Sequence, residues 1–450
     1  MGAALVYGLA ITGEATVRAL QQRGWTVIVA DDKVTPEART TASGLGVELV
    51  EAPAAPELRA LVGSVELVSP SPGLAEHHPL FAAVAEAGVP VRSELELAYR
   101  WEQDRPGGPR PMVGVTGTDG KTTTTMMATA MLEASGRRAV AAGNTELPLV
   151  DALDLDVDVF VVECSSFRLA HTETIRAVAG IWLNLAPDHQ DWHRSMATYQ
   201  DAKIRLWSQQ RADDVAIGHA ADPIVAAELQ RAPARHVTFA LTGADYLVEG
   251  DRLTGPQGPL VDITSMRRTL PHDLVDALAA VAGVLEPGLG TVDGVRDGLA
   301  TFEPPRHRIE LVASAGGVDW YDDSKATTPH AAATAVRGFD RVVLLAGGRN
   351  KGLDLAPLGE VATHVRAVVA LGEAADEVAK VFAAADPEVP VAIADSMGAA
   401  VETAGRAARP GDVVLLSPAC ASFDWYSGYG ERGDDFARLV HELLRGKGRS

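Results

Sequence analysis

The chain has 450 residues, 60 acidic against 40 basic side chains, and a formal net charge of −20. That length exceeds what one core organises and implies two to four domains, and so acidic a chain excludes nucleic acid as the expected partner, since binding it needs a basic surface. Cys164 and Cys420 stand far apart without metal-ligand spacing, which excludes a disulfide framework and reads as two small buried apolar residues. No apolar run approaches the ~20 residues of a membrane span, and the opening MGAALVYGLAITG lacks a basic leader, so a cytoplasmic chain without membrane insertion is expected.

Residues 3–8 read as a first strand, followed by Gly8-Leu9-Ala10-Ile11-Thr12-Gly13 and a helix. A second strand, Trp25 to Ala30, ends in Asp31-Asp32. This is a βαβ unit whose dinucleotide fingerprint has Ala10 in place of the middle glycine. Three readings stand beside each other: a dinucleotide site, a site for another nucleotide, and plain close packing of helix on strand. Leu67–Gly73 and a helix over Pro79–Ala87 continue the alternation. The run Arg105-Pro106-Gly107-Gly108-Pro109-Arg110-Pro111 then breaks the pattern as a linker.

The next stretch organises the rest. Met112–Thr116 is a short apolar strand, Gly117-Thr118-Asp119-Gly120 a glycine-bearing turn, and Lys121-Thr122-Thr123 the opening of a helix. Strand, turn and helix in that order suit phosphate binding: the turn directs amides inward, the helix end adds partial positive charge, Lys121 supplies a mobile cation, and the hydroxyl of Thr122 or Thr123 reaches Mg²⁺. Strict spacing would put glycine at position 115, which is Val. Asn144 follows, and then the apolar strand Val157–Cys164, whose ionisable residue at the C-terminal end is Glu163; a continuously apolar strand belongs in the middle of a parallel sheet, and its C-terminal end is where α/β folds place their sites. Another buried strand, Ile181–Leu185, runs into Asp188-His189-Gln190-Asp191-Trp192-His193. That cluster suits a metal or phosphate, and equally a polar loop. The helix Ser195–Gln209 carries Lys203, which by itself reads as a solvated surface lysine. Short strands are expected over 244–264 and an apolar helix over 273–286.

Glu303-Pro304-Pro305-Arg306-His307 marks a second linker. Beyond it, strands near Val318–Tyr321, Arg341–Ala346, Ala367–Leu371, Val389–Ile393 and Asp412–Leu416 alternate with Ala-rich helices, the last through Phe436–Leu444. The pattern is a second doubly wound parallel domain. Polar clusters follow three of its strands: Asp322–Thr327, Gly347–Gly352 and Ser417–Asp424. Clusters converging on one sheet edge favour a binding site.

Together these motifs resemble the Mur ligase family, ATP-dependent amide-forming enzymes of peptidoglycan synthesis, over essentially the whole chain. The matching positions are Gly117-Thr118-Asp119-Gly120-Lys121-Thr122, Glu163, Asp188-His189, Lys203 and His307-Arg308. Glu163–Leu169, Asp323-Ser324-Lys325-Ala326-Thr327 and Ser417–Asp424 resemble the D-glutamate-adding branch in particular. The chain departs from the family at His272-Asp273-Leu274-Val275-Asp276, where Asn residues are usual, and at Thr145-Glu146, where Ile-Gly is usual.

The resemblance implies an α/β chain of three domains: a Rossmann-like UDP-substrate domain over 1–105, a P-loop-type ATP domain with a mainly parallel sheet over 111–303, and a Rossmann-like amino-acid domain over 304–450. It implies ATP, UDP-N-acetylmuramoyl-L-alanine and D-glutamate as substrates and two Mg²⁺ ions, and a monomer is expected. Thr122, Thr123, Glu163, His189 and Lys203 are then the metal-side residues. The lysine matching Lys203 is carbamylated in this family, which turns a cation into an anion that can face a metal. Lys121, Glu163, His189, Lys203 and Lys325 are the implied catalytic set. The ATP set is Gly117 to Thr123 with Asp276, Arg308 and Asp323. Ile11, Thr12, Asp31, Asp32, Gly73, Asn144, Ser165 and His189 are expected at the UDP substrate, and Thr327, Lys351, Ser422 and Phe423 at D-glutamate.

Overall fold

The computed structural model describes residues 2–447. It falls into two compact units: Met1–Leu185 with His189–Arg267 and Leu274–Phe302, and Ala186–Asp188 with Arg268–Asp273 and Glu303–Ser450.

The first unit holds two parallel sheets. In the smaller, the strands run Glu48–Glu51, Thr26–Asp31, Ala3–Tyr7, Leu67–Pro70 across the sheet. In the larger the order is Arg235–Phe239, Val215–His219, Ala179–Trp182, Met112–Thr116, Val159–Glu163, Ala139–Gly143, every neighbouring pair parallel. The strand expected over Val157–Cys164 therefore lies inside the sheet, as its unbroken apolar run requires, and each of its residues from Val159 to Glu163 is buried. Helices cover both faces. Val113, Val115 and Ile181 meet Met127, Met131, Val281 and Leu299 on one side, while Phe160, Val162 and Trp182 meet Leu149, Tyr199, Leu206 and Trp207 on the other. Side chains of that size contribute about 1.5–3 kcal/mol each on full burial, so the central strands are anchored from both faces. A three-stranded antiparallel sheet, Leu247–Glu249, Arg252–Gly255 and Gly258–Asp262, occupies the stretch where short strands are expected.

The second unit is a six-stranded sheet ordered Glu310–Ala315, Val318–Asp322, Val413–Ala419, Val342–Gly347, Val365–Leu371, Val391–Ala394. Its last five strands are parallel, as the alternation predicts. The first is a correction: Glu310–Ala315 pairs antiparallel with Val318–Asp322. Gly316 and Gly317, at φ 63° and 76°, make the tight turn that joins them, the left-handed pair a two-residue hairpin needs. An irregular, half-exposed edge strand carries no clean alternation, which is why the sequence pattern passes over it.

Element ends follow local chemistry. Ser195 caps the helix Met196–Ser208 in a reciprocal capping box with Thr198, and Pro79 opens the helix Pro79–Ala87 with Gly88 at φ 67° closing it. Cys164 and Cys420 are both buried and free. Among the described residues no helix is long and apolar enough to cross a membrane.

The Pro/Gly run before Met112 contains neither helix nor strand, yet it is pinned. Arg110 is 9% exposed and lies over the Phe160 ring. Its backbone N–H and Nε donate to Glu102 Oε1 at 2.8 Å, and Nη2 donates to Glu102 Oε2 at 2.7 Å. Nη1 and Nη2 also reach the carbonyls of Leu155 and Leu153, both at 2.8 Å. Removing one partner of such a pair strands the other charge. Arg110→Ala is expected to cost about 3–5 kcal/mol in urea unfolding; an unchanged midpoint would show that the pair holds nothing.

Candidate functional site

The strand Met112–Thr116 delivers Gly117–Gly120 to the C-terminal edge of the larger sheet, and the helix Lys121–Ala134 leaves from it. Gly120 occupies the helix cap at φ 82° and has no side chain of its own to cap the first amides. Those amides and the helix dipole make an anion-seeking end. A Cβ at Gly120 would collide with Asp276 Oδ1, so the Asp276 carboxylate lies against the loop. Asn184, which carries no assignment from the motifs, shapes the loop directly. Its Oδ1 accepts from Thr118 N–H and Asp119 N–H, both at 2.9 Å, and its Nδ2 donates to Asp119 O at 3.2 Å. The signal available was a lone amide ending an apolar strand.

Two lysines meet at one acceptor. Lys121 Nζ donates to Gly117 O at 3.0 Å and to Thr118 O at 2.6 Å, and Lys203 Nζ donates to the same Gly117 O at 2.6 Å. Lys203 is 1% exposed, so the surface reading of this helical lysine is overturned: the helix Met196–Ser208 turns it inward. Its Nζ sits 4.5 Å from the Tyr199 ring centroid. Tyr199 also bonds Thr118 Oγ1 through its hydroxyl at 3.1 Å and meets the His189 ring edge-on at 6.0 Å. His189 is held in left-handed backbone at φ 55°, a conformation that persists only where surroundings over-determine it.

Glu163 lies on the strand beside the loop, in register with Val115. It is 2% exposed, and Asn144 Nδ2 donates to its Oε1 at 2.9 Å. Its Oε2 is buried and meets no donor. A carboxylate oxygen so placed is costly in isolation, and together with the hydroxyls of Thr122 and Thr123 it fits the donor set of a hard divalent cation.

Around the smaller sheet, Ile11 is 71% exposed, and Thr12 Oγ1 accepts from Arg168 Nη2 at 2.9 Å. Asp31 is engaged locally, accepting Leu9 N–H at 2.8 Å and Lys33 N–H at 2.9 Å. Asp32 accepts the Tyr7 hydroxyl at 2.7 Å and lies 3.1 Å from His78 Nε2. Gly73 lies in the loop after Leu67–Pro70, and Ser165 caps the short helix Ser166–Leu169.

In the second unit the three polar clusters leave the same ends of three neighbouring parallel strands. Asp323, Lys325 and Thr327 follow Val318–Asp322, Lys351 follows Val342–Gly347, and Ser422 and Phe423 follow Val413–Ala419. Backbone pairing of Arg349 with Ala421 ties two of these loops. Ser422 is buried, Lys351 exposed, and Phe423 56% exposed. Lys325 donates its N–H to His307 O at 3.1 Å and places Nζ 5.4 Å from the Tyr429 ring centroid. His307 Nδ1 and Asp322 Oδ2 are 2.6 Å apart, and His307, Ile309 and Ala419 all take positive φ. Among the described residues His307, Glu310 and Asp322 form the acidic and imidazole group close enough to hold a metal. The cluster 188–193 forms none: His193 instead bonds Glu76 and Ser166.

Two predictions follow from this geometry. Asn184→Ala removes the side-chain acceptor shared by the Thr118 and Asp119 amides while leaving the bond from Thr118 N–H to the residue 184 carbonyl, and is expected to raise KM for ATP about tenfold in a phosphate-release assay; an unchanged KM would show that the loop keeps its shape unaided. Burial pushes the Asp323 carboxyl up to about 7, against the Ser417 hydroxyl and the charge of Arg308. A carboxyl raised above its unfolded value of about 3.9 stabilises the fold fully below that pH, and the contribution is lost as pH rises through the folded value. Asp323→Asn should therefore gain on wild type in urea unfolding between about pH 4 and about pH 7; parallel profiles would contradict this.

Comparison with known proteins places these features in a family. Residues 2–93 match the Mur ligase MurD-like N-terminal domain, 115–267 the Mur ligase middle domain, and 307–420 the Mur ligase glutamate ligase domain. UDP-N-acetylmuramoylalanine–D-glutamate ligase of Frankia casuarinae is 43% identical over 97% of this chain and 93% of its own. The enzyme of the same name from Streptomyces coelicolor is 37% identical over 97% of both chains. Among solved structures, UDP-N-acetylmuramate–alanine ligase of Thermotoga maritima shares the fold at TM-score 0.60 and 16% identity, covering 98% of this chain and all of its own. A pseudomurein peptide ligase from Methanothermus fervidus does so at TM-score 0.58 and 16% identity, with the same coverage. With all three segments in order along one chain, and relatives this similar from end to end, the chain belongs to the Mur ligase family.

Proposed function

We propose that the chain is an ATP-dependent ligase that joins D-glutamate to UDP-N-acetylmuramoyl-L-alanine in peptidoglycan precursor synthesis. Its relatives at 37–43% identity carry that activity in their names. The observation that carries the chemistry is the meeting of Lys121 and Lys203 on the Gly117 carbonyl, with Glu163 on the neighbouring strand keeping one buried carboxylate oxygen without a donor. Two ammonium groups on one oxygen repel each other in a buried setting, so the position favours negative charge.

ATP first transfers its γ-phosphoryl group to the L-alanine carboxylate, releasing ADP and leaving an acyl phosphate. The D-glutamate amine then attacks the carbonyl carbon, and phosphate leaves as the amide forms. Two anions have to approach in the first step, so neutralising charge is the main task of the site. We assign that task to Lys121, the loop amides and the helix end at Gly120. Thr122, Thr123 and Glu163 would hold one Mg²⁺, and His189 with Lys203 a second; bound there, these ions neutralise phosphate charge and polarise phosphoryl oxygen. Carbamylation of Lys203 by CO₂ fits a lysine that is buried and shares its acceptor with a second ammonium. Lys325, Asp323 and Arg308 are assigned to ATP, and Thr327, Lys351, Ser422 and the Phe423 backbone to the two carboxylates of D-glutamate.

Phosphate release from Mg-ATP with UDP-N-acetylmuramoyl-L-alanine tests the whole reading when D-glutamate, L-glutamate, L-alanine and diaminopimelate are offered separately. Release with D-glutamate alone is expected; release with another amino acid would overturn the pocket assigned to Lys351 and Ser422. Lys203→Ala is expected to lose about 100-fold or more in kcat and to recover with short-chain carboxylic acids, and full activity without them would refute carbamylation.

A further inference from the structure

Two loops far apart in sequence are stitched together in the first unit. One is the turn after the strand Leu67–Pro70, which carries Gly73; the other is 189–194, which begins with His189. Trp192 Nε1 donates to Pro72 O at 2.8 Å, and Glu76 N–H donates to Trp192 O at 3.1 Å. Arg194 donates its N–H to Glu76 Oε2 at 3.0 Å and Nη2 to Glu76 O at 3.1 Å. Glu76 Oε1 lies 2.8 Å from His193 Nδ1, and His193 Nε2 lies 2.9 Å from Ser166 Oγ.

Burial lowers the His193 imidazole below its usual range against the pull of Glu76. Burial alone would raise the Glu76 carboxyl, but the Arg194 amide and His193 outweigh it and hold it low. A neutral ring beside a carboxylate places its proton on Nδ1, so Nε2 accepts from the Ser166 hydroxyl. Serine, imidazole and carboxylate in this order also activate nucleophiles. A nucleophile has to meet its substrate, however, and Ser166 is 3% and His193 2% exposed. The relay therefore reads as a clamp.

What it clamps is informative. Ser166 follows Ser165, and Phe167 packs its ring 4.8 Å from Trp192 and 4.5 Å from His189. The carbonyl of His189 accepts the N–H groups of Trp192 at 3.0 Å and His193 at 2.8 Å, which fixes the left-handed turn at His189. We propose that Glu76 and His193 are positioning residues for the nucleotide-sugar substrate, locking the Gly73 turn to the His189 and Ser165 segment so that both present their groups to one ligand. This rests on the ligase reading above, in which Gly73, Ser165 and His189 face that substrate.

The test is steady-state kinetics with each of the three substrates varied, together with calorimetric binding of UDP-N-acetylmuramoyl-L-alanine. Glu76→Ala is expected to raise KM and the dissociation constant for this substrate about tenfold or more, with KM for ATP and D-glutamate changed by less than about twofold. Glu76→Gln, whose single side-chain oxygen keeps an acceptor for only one of the Arg194 and His193 donors, should recover part of the loss. Trp192→Phe removes the bond to Pro72 while keeping an aromatic ring against Phe167 and His193, and should shift the same constant in the same direction should the Ala variant fail to fold. An unchanged constant in the folded variants, or equal weakening toward all three substrates, would overturn the proposal. A wild-type chain that neither binds nor turns over this nucleotide would overturn the ligase reading and this inference with it.

Discussion

Charge at the end of one strand sets the terms for the rest of the first unit. Gly117 ends the central strand of a parallel sheet with its carbonyl turned toward two lysines, one from the helix that follows immediately and one from a helix eighty-odd residues on. Two ammonium groups on one buried oxygen repel each other. In the same unit Asp276 lies against Gly120, and Glu163 offers one oxygen to Asn144 and keeps another without a donor.

The scaffold makes such a site affordable. The strands Met112–Thr116 and Val159–Glu163 are buried throughout, with side chains packed on both faces, so their C-terminal ends are fixed points from which short loops project. Among the described residues, positive φ outside glycine occurs at Ala52 and at His189, His307, Ile309 and Ala419, the last four in or beside segments that carry candidate groups. Strain of that kind is tolerated where packing on either side is rigid.

The second unit repeats the logic with different chemistry. Three neighbouring parallel strands end in hydroxyl- and cation-bearing loops, and buried polar contacts, Asp323 with Ser417 and His307 with Asp322, fix the loops from beneath. Hydroxyls, amides and cations from several loops are thereby gathered at one sheet edge, the place where α/β folds put their sites.

Much of this was legible in the sequence. The strand–turn–helix order at 112–123, the apolar run ending in Glu163 and the alternation beyond residue 318 are local patterns, and local patterns survive in one dimension because strand burial and helix start signals act over a few residues. Lys203 and Asn184 were not legible by themselves. A helical lysine and a terminal amide each have a solvated reading, and only the packing of their elements against Gly117 and the Thr118-Asp119 amides selects the buried one. The edge strand Glu310–Ala315 was hidden for the opposite reason, since a half-exposed strand leaves no periodic trace. The sequence thus determined the buried central strands, the glycine-bearing turn before Lys121 and the residue types needed for the chemistry; the tertiary structure alone decided which distant side chains share an acceptor, because hydrogen bonds between residues eighty-odd positions apart are set by how strands and helices pack.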